Sequence, residues 1–302
     1  MRLKRMFIAF LAAVLALTMM PGTGAVSYAD SVEVRPYLAF GADLSSSQKK
    51  TVMELLGVTS QELADYETVE VTNAEEHKYL DTYLDKSVIG TRALSSVKIE
   101  EADAGAGITV KTHNISFCTE EMYTNALVTA GISDAAVTVA GPFEISGTAA
   151  LVGAMKAYGT MTGQEIDSDN ADAATNELVL TGKLGESVGK EEAAQLVALV
   201  KNKVLEGDLS SPEEIQDAVE EAADELDLTL SDSQKEELTK LMQKIGSLDL
   251  DVDSLKSQAQ GIYDKLKNMD IDLTEAKGVL AKIGDFFSDL FHKIGEFLKG
   301  LF

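Results

Sequence analysis

Residues 95–115 read SSVKIEEADAGAGITVKTHNI, two runs of alternating apolar and polar side chains on either side of Ala104-Gly105-Ala106-Gly107. Alternation with a period of two places every second side chain on one face of a strand, and a glycine-rich break between two such runs is a hairpin signal. Residues 95–101 and 108–115 are therefore expected as paired strands. Upstream, 67–71 is a β-branched strand, and Asn73 caps a helix running through Leu84. Downstream, Thr119 caps a helix bearing Met122, Leu127 and Val128, Gly131 ends it, and 135–140 is a fourth strand. The order β-α-β-β-α-β predicts the split arrangement of ferredoxin-like folds, with a further helix over 148–158. An earlier helix follows Ser45-Ser46-Ser47, carries Val52, Leu55 and Leu56 on one face, and stops at Gly57.

The pattern changes after residue 163. The stretch EIDSDNADAATN at 165–176 is acidic and polar, and residues 164–190 are expected as a linker or helix. Residues 191–275 show almost only helical periodicity, with Ser211 before Pro212, Ser231, Asp253 and Thr274 as caps. The fold class expected is α+β: an N-terminal α/β domain over 30–163, leaning to ferredoxin-like, followed by an all-helical C-terminal region that ends in an amphipathic helix at 276–302.

The N-terminus carries an address. Arg2, Lys4 and Arg5 precede an apolar run from Met6 to Met20, and Ser27-Tyr28-Ala29 is a small-x-small cleavage site, so residues 1–29 read as a secretory signal. The run is shorter than the roughly 20 residues a spanning helix needs, and Pro21 and Gly22 break it. The expected location is secreted, extracellular and held at the cell surface. Cys118 is the sole cysteine, so stability rests on packed cores rather than an internal disulfide. Cleavage takes the formal charge from −24 to −27, and such a surface repels nucleic acid.

Several stretches carry a family resemblance: FGADLS at 40–45, VTNAEEHKYL at 71–80, GTRALSS at 90–96, NALVTAGI at 125–132 and GPFEISGTAAL at 141–151. In these the chain resembles the secreted YpuA-like proteins of Gram-positive bacteria, a domain of unknown function. The resemblance implies an exported, envelope-related protein and supplies no catalytic residues.

The candidate chemistry is sparse. Cys118 stands at a strand-to-helix junction, where a helix N-terminus can lower a thiol's pKa, but His113 lies five residues away and points to the opposite face of a regular strand; a small buried hydrophobe is the better reading. His77, His113 and His292 fall in no zinc-binding spacing. Asp249, Asp251 and Asp253 occupy the first ligand positions of a calcium-type loop, which then fails because Ser254 and Gln260 replace its glycine and glutamate. Asp167, Asp169 and Asp172 read as a solvated charge run. Ser146-Gly147-Thr148 opens a helix without the first glycine of a nucleophile elbow, so capping is the simpler account. No catalytic residue, metal ligand or cofactor site is assigned.

One segment asks for a partner. Val279, Leu280, Ile283, Phe286, Phe287, Leu290, Phe291, Ile294, Phe297, Leu298, Leu301 and Phe302 recur at helical spacing and form an apolar stripe on a helix about 40 Å long. Leaving it in water would forgo about 1.5–3 kcal/mol per large side chain, so it must dock on the chain, enter a membrane interface or pair with other copies. The expectation is a secreted, non-enzymatic, envelope-associated protein that contacts a membrane surface or protein partner through Phe286, Phe287, Leu290, Phe291, Ile294, Phe297, Leu298 and Leu301. The alternative is an exported hydrolase whose site in the α/β domain is not advertised by a motif.

Overall fold

The computed structural model describes residues 35–163, 165–248 and 250. Residues 1–29, read as a secretory signal, the candidate calcium ligands Asp249, Asp251 and Asp253, and the apolar positions from Phe286 to Leu301 lie outside those residues.

The strand that organises the sheet is one the alternation rule passes over. Tyr37–Gly41 (β1) is a short apolar run with both faces covered: Leu38 and Phe40 pack with Val52 and Met53 of Ser46–Leu55 (α1) and with Leu56, which caps it, while Ala39 faces the larger core. A strand buried on two faces reads as a continuous apolar run rather than an alternating one. Glu67–Val71 (β2) lies parallel to it at one edge of the sheet. Ser96–Glu101 (β3) is antiparallel to β1 and to Ala135–Ile145 (β5), and Ile108–Ile115 (β4) lies parallel to β5. The order is β2-β1-β3-β5-β4, with four strands pointing one way and β3 the other.

This corrects two expectations. The runs at 95–101 and 108–115 are strands, but they do not form a hairpin, because β5 inserts between them. Asp134, just before β5, holds the connection in place: its carbonyl accepts from Ala102 N–H at 3.0 Å, its carboxylate from Gly107 N–H at 2.8 Å, and Gly107 C=O accepts from Ala135 N–H at 3.1 Å. Nor is the sheet the split ferredoxin-like arrangement, since β1 and β2, and likewise β4 and β5, are directly paired across their helical crossovers.

Along β3, Val97 and Ile99 face the larger core while Lys98 and Glu100 pair at 2.8 Å on the opposite side. On the core side lie Glu120–Thr129 (α4) and Thr148–Thr162 (α5). Gly153 of α5 permits close approach to the sheet, for a Cβ there would sit 3.0 Å from that of Ala39. Asn73–Leu80 (α2) is capped by Thr72, not Asn73, through a reciprocal bond with Glu75, and it ends four residues before Leu84. The short turn Lys86–Ile89 (α3) follows.

The acidic stretch at 165–176 is largely helix. Asp167 caps Ser168–Val188 (α6) by accepting from the N–H groups of Asp169 and Asn170. Ala171, Ala174 and Leu178 of α6 enter the sheet's core, while Ala173, Leu180 and Leu184 enter a second core built with Lys190–Glu206 (α7), Pro212–Glu225 (α8) and Asp232–Gly246 (α9). Ser211 with Glu214 and Ser231 with Gln234 form the capping boxes of α8 and α9. The mixed sheet followed by a helical region is thus the architecture, and α6, together with α7 through Ala194, contributes to both of these cores.

Candidate functional site

Because β1, β2, β4 and β5 point the same way, their carboxyl ends meet at one edge of the sheet, where open α/β sheets place ligand sites. Four stretches that carry the family resemblance reach this edge: 40–45 after β1, 71–80 through the start of α2, 90–96 entering β3, and 141–151 across the β5–α5 turn.

Gly41 sets the close packing. A Cβ on it would lie 2.3 Å from the Ala93 carbonyl oxygen, and its own N–H donates to Ser96 Oγ at 3.1 Å. One step on, Asp43 N–H donates to Ala93 C=O at 3.1 Å and the Asp43 carboxylate accepts from Ala93 N–H at 2.8 Å. Ser95 Oγ accepts from Ala150 N–H at 2.9 Å in the first turn of α5. The segment entering β3 is thereby stitched to β1 on one side and α5 on the other.

Glu76 lies at the centre, 2% exposed. Its carboxylate accepts from Thr148 Oγ1 at 2.5 Å and from Asn73 Nδ2 at 3.3 Å. Burial pushes this carboxyl above its usual range, and the two hydrogen bonds and the neighbouring His77 pull it back only in part. His77 bonds Asp81 and the Gly90 carbonyl, and the Asp81 hydrogen bond raises it above the ordinary imidazole value.

At the β4 end, Cys118 is 2% exposed and burial pushes its thiol up to about 12, the reverse of an activated nucleophile. His113 is exposed, beyond a break in the β4–β5 register next to Asn114, so the structure does not bring it to Cys118 as a dyad. Ser146 Oγ bonds Thr148 Oγ1 at 3.2 Å. Tyr123 donates to Gly147 C=O at 2.6 Å; Gly147 holds φ +93°, and a Cβ there would lie 2.5 Å from the phenol oxygen. The Ser146-Gly147-Thr148 turn is therefore a packed helix entrance.

A second polar cluster lies deep between α4, α6 and α7. Lys201 and Glu177 are both 0% exposed at the side chain and pair at 2.8 Å. Lys201 also donates to Asn125 C=O at 3.0 Å and Thr129 Oγ1 at 3.1 Å, Thr129 donates to Glu177 at 2.5 Å, and Asn125 Nδ2 donates to Ala194 C=O at 2.9 Å. All three ammonium protons have acceptors. A third link joins the turn after α2 to the helical half: Tyr83 donates to Asp172 at 2.8 Å, and Lys244 bonds both. Asp172 is thus drawn out of the acidic run into an ion pair, while Asp167 is a cap.

Glu76, Asp43, Lys201 and Glu177 were not legible as site residues by motif. Their signal is a polar residue at core-facing helical spacing, as in Glu76 with Leu80, and Lys201 with Val197 and Val204. Among the described residues no group of three His, Cys, Asp or Glu side chains is placed to hold a metal ion, and no helix is long and apolar enough to cross a membrane.

Comparison with known proteins agrees on a family without a known activity. The chain is 40% identical over 298 residues, 98% of its own length and 100% of the relative's, to the uncharacterized protein YpuA of Bacillus subtilis (strain 168). No solved structure matches it. Residues 40–262 match the family described as protein of unknown function (DUF1002), and the chain belongs to that family.

Proposed function

We propose that this is a secreted, non-enzymatic protein of the cell envelope, which acts by contact through its C-terminal apolar stripe with a membrane surface or a partner protein. The observation that carries this reading is how the reactive side chains of the described residues are employed. Cys118 is sealed in the core with its thiol pushed up to about 12, Ser146 bonds Thr148, which in turn donates to Glu76, and Lys201 is spent on an internal ion pair. The signal-like N-terminus supports export, and the net charge of −24 argues against nucleic acid as a partner. The stripe through Phe286, Phe287, Leu290, Phe291, Ile294, Phe297, Leu298 and Leu301 supplies the apolar surface that contact requires.

Flotation with vesicles of mixed neutral and anionic lipid tests it, comparing the mature chain with one ending at Lys277. The full chain should rise with the vesicles and the shortened one stay below. If neither floats and the shortened chain unfolds, the stripe is part of the fold and the contact reading fails.

A second reading, an exported hydrolase, is favoured by one feature: Glu76 is a carboxyl raised by burial at the carboxyl edge of the sheet, the environment in which general acids are found. It requires Glu76 to become accessible. Hydrolysis of envelope polymers by the intact protein that is abolished in Glu76→Gln would establish it.

A further inference from the structure

We propose that His77 is a proton-operated latch, which ties the turn leading into β3 to α2 while the imidazole is charged and releases it when the proton leaves. The argument begins with hydrogen-bond chemistry. His77 Nδ1 lies 2.6 Å from Asp81 Oδ1, and Nε2 lies 3.0 Å from the Gly90 carbonyl oxygen. An ionised carboxylate and a carbonyl can only accept, and a neutral imidazole has a single N–H to give. Both contacts therefore exist together only in the imidazolium. The ring is 24% exposed, so its proton exchanges with solvent.

The surrounding charges favour that state. Asp81 accepts from the ring and also pairs with Lys86 of α3 at 3.6 Å, and both neighbours hold its carboxyl below the usual range, so it is an acceptor at neutral pH. Glu76 on the same helix adds attraction, and Asp43, from the β1–α1 turn, faces Glu76. The other charged groups brought against α2 are engaged elsewhere: Lys156 of α5 with Glu75, and Asp172 of α6 with Tyr83.

What the latch holds is the start of the 90–95 segment. Gly90, at φ +83°, ends α3, and its carbonyl has one other side-chain donor, Asn73 Nδ2 at 3.4 Å. Loss of the ring proton leaves one N–H for two acceptors, and the charged Asp81 carboxylate at 2.6 Å keeps it in preference to the neutral Gly90 carbonyl at 3.0 Å, so the Gly90 contact is the one that breaks. The sign is fixed by the two shifts. His77, raised above 6.5, contributes fully below 6.5, and that contribution is lost as pH rises through its folded value. Asp81, lowered from 3.8, contributes above 3.8 and is lost as pH falls through its folded value. The latch is closed between those limits and opens on the alkaline side.

The test uses the full mature chain: NMR titration of the histidine rings, with His77 assigned from His77→Gln, and amide exchange at residues 86–91, corrected for intrinsic rates, at about pH 5.5 and about pH 8.5. His77 should titrate above 6.5, and protection at residues 86–91 should fall about tenfold between the two conditions, the scale of one hydrogen bond to a charged group. In His77→Gln protection should be low and flat with pH, and Asp81→Asn should lower both the His77 titration and the protection at about pH 5.5. Titration of His77 at or below 6.5, protection that does not change with pH, or the same fall in His77→Gln would each overturn the proposal.

Discussion

Replacing Lys201 with methionine tests the junction between the two cores directly. The side chain is 0% exposed, and methionine keeps most of its stem, so the change removes charge and hydrogen bonds while creating little cavity. It leaves the buried Glu177 with Thr129 as its one side-chain donor among the described residues, and it leaves the Asn125 carbonyl without the ammonium. Breaking a buried pair by removing one partner costs about 3–5 kcal/mol, a large share of the roughly 5–15 kcal/mol by which a typical domain is stable. The double variant Lys201→Met with Glu177→Leu should behave differently. With both charges gone, the Thr129 hydroxyl is free to turn and donate to Asn125 C=O, four residues back on α4, and the Asn125 side chain keeps its bond to Ala194.

Urea unfolding followed by far-UV circular dichroism and by tyrosine fluorescence gives both values, and agreement of the two probes justifies a two-state treatment. The single variant should lose about 3–5 kcal/mol and the double about 1.5 kcal/mol or less, a coupling of at least about 1.5 kcal/mol. A single variant costing under about 1 kcal/mol would refute the premise that the pair is desolvated and mutually dependent. So would a double variant as unstable as the single, because the penalty would then come from lost packing rather than an orphaned charge.

Two further outcomes follow from the carboxyl edge. Cys118, with its thiol raised to about 12, should be only about one ten-thousandth thiolate at about pH 8, so a thiol reagent should label it only on unfolding; labelling of the native protein at the rate of a free cysteine would contradict its burial. Glu76 has a raised folded-state pKa, so its stabilising share is present in acid and lost as pH rises through the folded value. Glu76→Gln, which retains an acceptor for Thr148, should therefore match or exceed the wild-type urea midpoint at about pH 7, and that advantage should vanish in acid. Glu76→Ala should lose about 1–3 kcal/mol, and a Gln variant as weak as the Ala variant would refute the sign.

Much of the helical half was readable because its signals are local. Ser211 before Pro212 and Ser231 before Asp232 mark helix starts through bonds that span three residues, and the structure places α8 and α9 there. The strands at 67–71, 96–101 and 108–115 were readable for the same reason, since alternation or β-branching is a property of the strand itself. The acidic stretch before Asn176 is ambiguous by composition: Asp167 caps and Asp172 pairs, while the neighbouring alanines, Ala171, Ala173 and Ala174, are the residues that pack. Small side chains carry little hydropathy, so composition alone leaves a linker and a close-packed helix both open there.

Sheet order is harder to read because it is decided by contacts between distant parts of the chain. The glycine-rich loop at 104–107 satisfies every local requirement of a hairpin, yet Asp134 captures both ends of the loop and seats β5 between β3 and β4. One cue separates the outcomes. Within 135–140, Ala135, Val137, Val139 and Ala140 are all at most 2% exposed, the marks of an interior strand, whereas β4 buries only Val110 among its eight residues. A strand as polar as β4 belongs at an edge, where lysine and polar side chains also discourage pairing with a second sheet. Pairing β4 with β3 alone would have left β5, the more apolar strand, to fill that edge. The same placement aligns β5 with β1 and brings the Ser146-Gly147-Thr148 turn against Glu76, so the carboxyl edge exists only because the hairpin does not form.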